Sequence, residues 1–73
     1  MDLGPRIAAW LRVRNMTQSA LAHECGVTPQ AVTAWVKHNA SPSLKNLNAM
    51  LEAFGVTIQE FYGRVPKAKK DAA

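Results

Sequence analysis

Seventy-three residues, a single cysteine and a formal charge of +4 allow one small domain with little room for an enclosed active site beside its core. One cysteine forms no internal disulfide, so nothing requires an oxidising compartment. No apolar run approaches the roughly 18 residues of a membrane span, and no signal-peptide pattern opens the chain, so no membrane partner and a cytoplasmic location are expected. The pI near 9.7 favours a polyanionic partner. The body is only mildly basic: Arg6, Arg12, Arg14, Lys37, Lys45 and Arg64 face Asp2, Glu24, Glu52 and Glu60. The stretch KAKKDAA, from Lys67 to Ala73, carries the rest of the surplus. Affinity for a polyanion therefore depends on where the cations are placed.

In chain order, the spacing predicts five short helices and no strand. The first runs from about Pro5 to Arg14, with Pro5 in the first turn and Ile7, Trp10 and Leu11 on one face. Asn15 is its left-handed stop. The second runs from Gln18 to about Cys25 behind the N-cap Thr17, with Met16 stapled to Leu21. Gly26 stands where the chain must turn sharply, and glycine takes a positive φ without steric cost. Ala22, four residues earlier, permits two helices to approach closely.

The third helix has Thr28 as N-cap, Pro29 at its first position, Val27 stapled to Val32, and an end near Lys37. The segment HNASP, His38 to Pro42, is a loop. Ser43 caps a fourth helix whose Leu44, Leu47, Met50, Leu51 and Phe54 share a face, and Gly55 ends it. A last short helix starts at Thr57, which has capping-box spacing to Glu60, while Val56 staples to Phe61. Residues 67–73 are expected to be a disordered basic tail after a domain at 1–66.

The stretch QSALAHECGVTPQAVTAWVK, Gln18 to Lys37, is the pattern of a helix-turn-helix, in which spacing, glycine and caps agree. It makes double-stranded DNA the first partner to consider. Beyond that pattern, MTQSALA, GVTPQAVTAW, SPSLKNLNAMLEAFGV and TIQEFY resemble the phage repressor and Cro family, the xenobiotic-response-element type of helix-turn-helix. The resemblance covers about Leu3 to Val65. It implies an all-α, five-helix, lambda-repressor-like DNA-binding domain that acts as a homodimer on a palindromic operator, as a repressor or dual regulator. Many of its members pair an arginine of the first helix with a glutamate late in the third. The matching positions here are Leu11 and Val36, an apolar pair that can replace a buried ion pair without loss.

In this motif the start of the third helix enters the major groove. Val32 and Trp35 face the core, so Pro29, Gln30, Thr33 and Ala34 face outward, with Lys37 a turn further on. Gln30 suits the N6/N7 edge of adenine, and Thr33 offers a methyl or a hydroxyl. Pro29 and Ala34 make only apolar contacts. Gln18 starts the second helix, where the resemblance implies a phosphate contact. Thr28, Lys37, His38 and Asn39 complete the DNA-binding set, with Ser41, Ser43 and Lys45 nearby. His38 and Asn39 read equally well as plain loop residues. Arg12 and Arg14 read as a solvated face, Trp10 and Trp35 as core.

Cys25 reads as a buried structural thiol. His23 and Cys25 point to different sides of their helix, so no metal site and no cofactor are expected. The scattered carboxylates, without a nucleophile–base pair or a phosphate-binding glycine loop, argue against an enzyme. Ile58, Tyr62 and Val65 are the candidate dimer interface, because Phe61 is turned inward. The alternative is a protein–protein interaction module that keeps the fold but has lost DNA binding. The sparse charge of the third helix, with Ala31 and Ala34 in place of long polar residues, supports it.

Overall fold

A computed structural model of the protein describes residues 3–65; the tail assigned to 67–73 lies outside the described residues. The chain forms α1 (Gly4–Val13), α2 (Gln18–Cys25), α3 (Pro29–Lys37), α4 (Leu44–Phe54) and α5 (Ile58–Tyr62), with no strand among the described residues. Every helix after the first begins with the side-chain cap expected for it. Thr17, Thr28, Ser43 and Thr57 accept hydrogen bonds from Ala20, Ala31, Asn46 and Glu60 N–H groups at 3.0, 3.3, 3.2 and 3.1 Å. Glu60 returns the bond to Thr57 N–H at 2.9 Å, which completes the capping box.

Three helix ends share one construction. Asn15, Gly26 and Gly55 take left-handed φ values of 56°, 69° and 70°. The next residue in each case, Met16, Val27 or Val56, donates its N–H back to Leu11, Ala22 or Leu51 at 2.9, 3.0 and 3.1 Å. All three are apolar, pack against the core, and precede a threonine cap. The same three-residue sequence, left-handed residue then apolar anchor then threonine, thus closes one helix and opens the next, preceded in the first case by Arg14 at the end of α1.

The core consists of Ile7, Trp10, Leu11, Leu21, Ala22, Val32, Trp35, Met50, Leu51, Phe54 and Phe61. Trp10, Phe54 and Phe61 form a stack with centroids 6.1 and 6.3 Å apart. Leu11 is buried and Val36 half-buried against the core, as their apolar character requires. Leu44 departs from expectation: it lies on the apolar stripe of α4 but is 72% exposed. It occupies the first turn of α4, where the stripe outruns the elements that cover it. Cys25 is half-buried at the rim of the core, and burial, reinforced by the neighbouring Glu24 carboxylate, raises its thiol above the usual value.

The start of α1 packs on the end of α3 at backbone distance. A Cβ on Gly4 would collide with the carbonyl oxygen of Val36 and lie 3.1 Å from that of Trp35. Neither carbonyl is free to swing away as a side chain would. Gly4→Ala is therefore expected to lower stability by about 1–3 kcal/mol, although alanine is the better helix former. Urea denaturation checks this, and an unchanged or raised midpoint would show that the two backbones are not held so closely.

Candidate nucleic-acid interface

Helices α2 and α3 pack on each other, and Leu21 and Ala22 of one and Val32 and Trp35 of the other are buried in the common core. That burial fixes which side of α3 is left for a partner. Thr28, Pro29, Gln30 and Lys37 are exposed, and Thr33 and Ala34 are half-buried. Pro29, Gln30 and Thr33, together with His38 beyond the helix end, line one surface depression of about 370 Å³. Four of the residues chosen from sequence thus surround a single concavity.

The loop after α3 is held by one backbone acceptor. Ala34 C=O accepts from both His38 N–H and Ala40 N–H at 3.0 Å, while Asn39 takes a left-handed φ of 59°. This reversal leaves Lys37, His38 and Asn39 exposed together at the end of α3. Thr28 Oγ1 is occupied as an acceptor in its cap, but its hydroxyl proton is available to an anionic oxygen.

Gln18 is half-buried, and its Oε1 accepts a hydrogen bond from Thr33 Oγ1 at 2.8 Å. No local pattern in the sequence links these two residues, which stand fifteen positions apart. Of the candidate dimer residues, Ile58 is 47% and Tyr62 37% exposed, whereas Val65 is partly buried against the core. Tyr62 also meets Phe61 edge-on at 5.2 Å and lies 6.0 Å from the Arg6 guanidinium.

Arg6 of α1 and Arg14 at its C-cap have roles the sequence did not disclose. Arg6 Nη1 donates to the carbonyls of Phe61 and Gly63 at 3.0 and 2.6 Å. Trp10 Nε1 donates to Phe61 C=O at 3.1 Å. Arg14 Nε donates to Phe54 C=O at 2.8 Å and lies over the Trp10 ring at 5.4 Å. Arg14, assigned to a solvated face, is exposed yet caps the end of α4. The signal available in sequence was the spacing: Arg6, Trp10 and Arg14 are four apart and lie in one row.

A turn between α2 and α3 closed by a left-handed glycine, and a capped α3 with one buried and one exposed face, define a helix-turn-helix DNA-binding domain. A family model described as helix-turn-helix matches residues 8–61, and the chain belongs to that family, the Cro/C1-type regulators of the phage repressor group. No curated protein and no solved structure matches the chain. The protein is accordingly a DNA-binding transcriptional regulator, of a regulatory rather than an enzymatic family. Among the described residues, no helix is long and apolar enough to cross a membrane.

Because Arg6 is engaged by carbonyls of the α5 end, Arg6→Ala is expected to lower stability by about 1–2 kcal/mol. The salt dependence of DNA binding should stay unchanged. Thermal unfolding read beside a salt-titrated binding curve checks both, and a flattened salt slope at intact stability would place Arg6 at a phosphate instead.

Proposed function

We propose that the protein is a sequence-specific repressor that binds a palindromic operator as a homodimer, with α3 in the major groove of each half-site. The observation that carries this reading is the division of α3 into a face buried through Val32 and Trp35 and an exposed face bearing Pro29, Gln30 and Lys37. Gln30 is the base-reading residue, for the N6/N7 edge of adenine. Pro29 and Ala34 meet apolar groups such as thymine methyls, and Thr33 adds its methyl beside them. Thr28, Gln18, Lys37, His38 and Asn39 address the sugar–phosphate backbone on the two sides of the groove. The protein works in the cytoplasm, where its operator is. Neither a cofactor nor a metal enters the mechanism.

One such domain reads only a handful of base pairs, too few to define a unique site, so the twofold assembly follows from the reading task. Ile58 and Tyr62 supply exposed apolar surface on α5, with Val65 at its edge. Half-sites should then lie about 34–36 Å apart. Sedimentation of the free protein and of its complex is expected to show two protomers on a palindromic duplex, with Tyr62→Ala weakening the assembly. A monomer in both states, insensitive to that substitution, overturns the dimer.

The reading head is tested on a duplex selected by the wild-type protein from random sequences, beside a scrambled duplex. Gln30→Ala is expected to cost about 1–3 kcal/mol per half-site on the selected duplex and little on the scrambled one. Lys37→Ala is expected to weaken both and to reduce the salt slope by about one per protomer. Equal losses on both duplexes for Gln30→Ala would make it a positioning residue. No loss for either variant would remove α3 as the reading head and favour the protein-interaction module.

A further inference from the structure

The hydrogen bond between Thr33 and Gln18 joins the two helices of the motif through their side chains, at 2.8 Å between residues fifteen positions apart. Its direction has a consequence. A threonine hydroxyl carries one proton, and here that proton is donated to Gln18 Oε1, so it is not available to a base or a phosphate. A carboxamide held through its oxygen presents its remaining pole, an NH2 with two donors and no acceptor. Both residues are half-buried, and the partial exclusion of water strengthens the bond.

Resting on the DNA-binding reading above, we propose that Thr33 is a positioning residue. It fixes the carboxamide of Gln18 so that its NH2 is aimed at a backbone phosphate of the operator, and it reads no base through its hydroxyl. A long, flexible glutamine side chain is thereby ordered before DNA arrives, and less conformational freedom is lost on binding. The bond also ties the phosphate contact of α2 to the placement of α3. A shift of the reading helix in the groove then moves the anchor with it. Phosphate oxygens accept hydrogen bonds and donate none, so the outward NH2 suits them at every sequence alike.

The test is a double-mutant cycle on the selected and scrambled duplexes at several salt concentrations. Thr33→Val keeps shape and methyl but removes the hydroxyl; Thr33→Ser keeps the hydroxyl. Thr33→Val is expected to weaken binding to both duplexes by about three- to tenfold per protomer, and Gln18→Ala by at least as much. The double variant should lose no more than Gln18→Ala alone, and Thr33→Ser should restore most of the affinity. The salt slope should stay constant, because the amide is uncharged. In the free protein, the side-chain amide signals of Gln18 should move on Thr33→Val while the backbone spectrum keeps its native dispersion.

Additive losses, a loss confined to the selected duplex, or unmoved Gln18 amide signals each overturn the positioning role. A wild-type protein that binds neither duplex overturns the DNA reading and this proposal with it. Wild-type binding with additive losses overturns only the proposal.

Discussion

No helix among the described residues is long enough to stand alone. They run to 10, 8, 9, 11 and 5 residues, below the roughly 12–15 at which even alanine-rich helices become marginal in water. In helices so short, the unpaired N–H and C=O groups of the two ends rival the groups paired within. The fold therefore depends on how its helix ends are satisfied. Three connections answer with the same three-residue construction, Asn15–Met16–Thr17, Gly26–Val27–Thr28 and Gly55–Val56–Thr57. Each takes care of the last carbonyls of one helix, buries one apolar side chain, and caps the first N–H groups of the next. The connection after α3 is longer and differently built, anchored on Ala34 C=O. It is also the connection that follows the exposed face of α3.

The carbonyls left at the ends of α4 and α5 are satisfied from a distance. Arg6, Trp10 and Arg14 form a row of donors on α1 and its cap, aimed at Phe61, Gly63 and Phe54. Phe61 C=O accepts from both Arg6 and Trp10, while the Phe61 ring is fully buried beneath. A five-residue helix is thus pinned from both its side-chain and its backbone sides. This arrangement has an electrostatic consequence. Two of the cations in a mildly basic body are tied to helix ends, which leaves Lys37 and Lys45 as the exposed cations near the end of α3 and the start of α4.

The local features were legible in the sequence because their causes are local. Thr17, Thr28, Ser43 and Thr57 cap groups three residues away. Asn15, Gly26 and Gly55 adopt the left-handed conformation their positions require. The inward face of α3 followed from periodicity and that of α5 from the Val56–Phe61 staple, and Val32, Trp35 and Phe61 are buried accordingly. What escaped depends on docking. The bonds of Arg6, Trp10 and Arg14 span 40 to 57 positions, and no local pattern says which carbonyl will lie beneath them. Leu44 has the right phase for the core of α4, but phase does not tell how far along a helix its neighbours extend. The Gln18–Thr33 bond likewise exists only once α2 and α3 are packed.

The reading face proposed for α3 would set the balance between affinity and discrimination. Phosphate contacts by cations supply most sequence-independent affinity, and they weaken steeply with salt. The α3 face offers neutral groups, Pro29, Gln30, Thr33 and Ala34, with Lys37 at its edge, so that face has little of that affinity to offer. Hydrogen bonds to base edges discriminate by about 1–3 kcal/mol each, which is useful only when the helix is held still against the groove. The rigidity comes from the features already described: Gly4 seated on the α3 carbonyls, the caps at Thr28, and the Ala34 anchor of the loop. On the proposed reading, a weakly charged head held still in this way would gain specificity because non-specific sequences receive little from it, and two such heads would together supply the affinity that one lacks. That is the physical reason to expect the proposed assembly to be twofold rather than a single domain with more arginines.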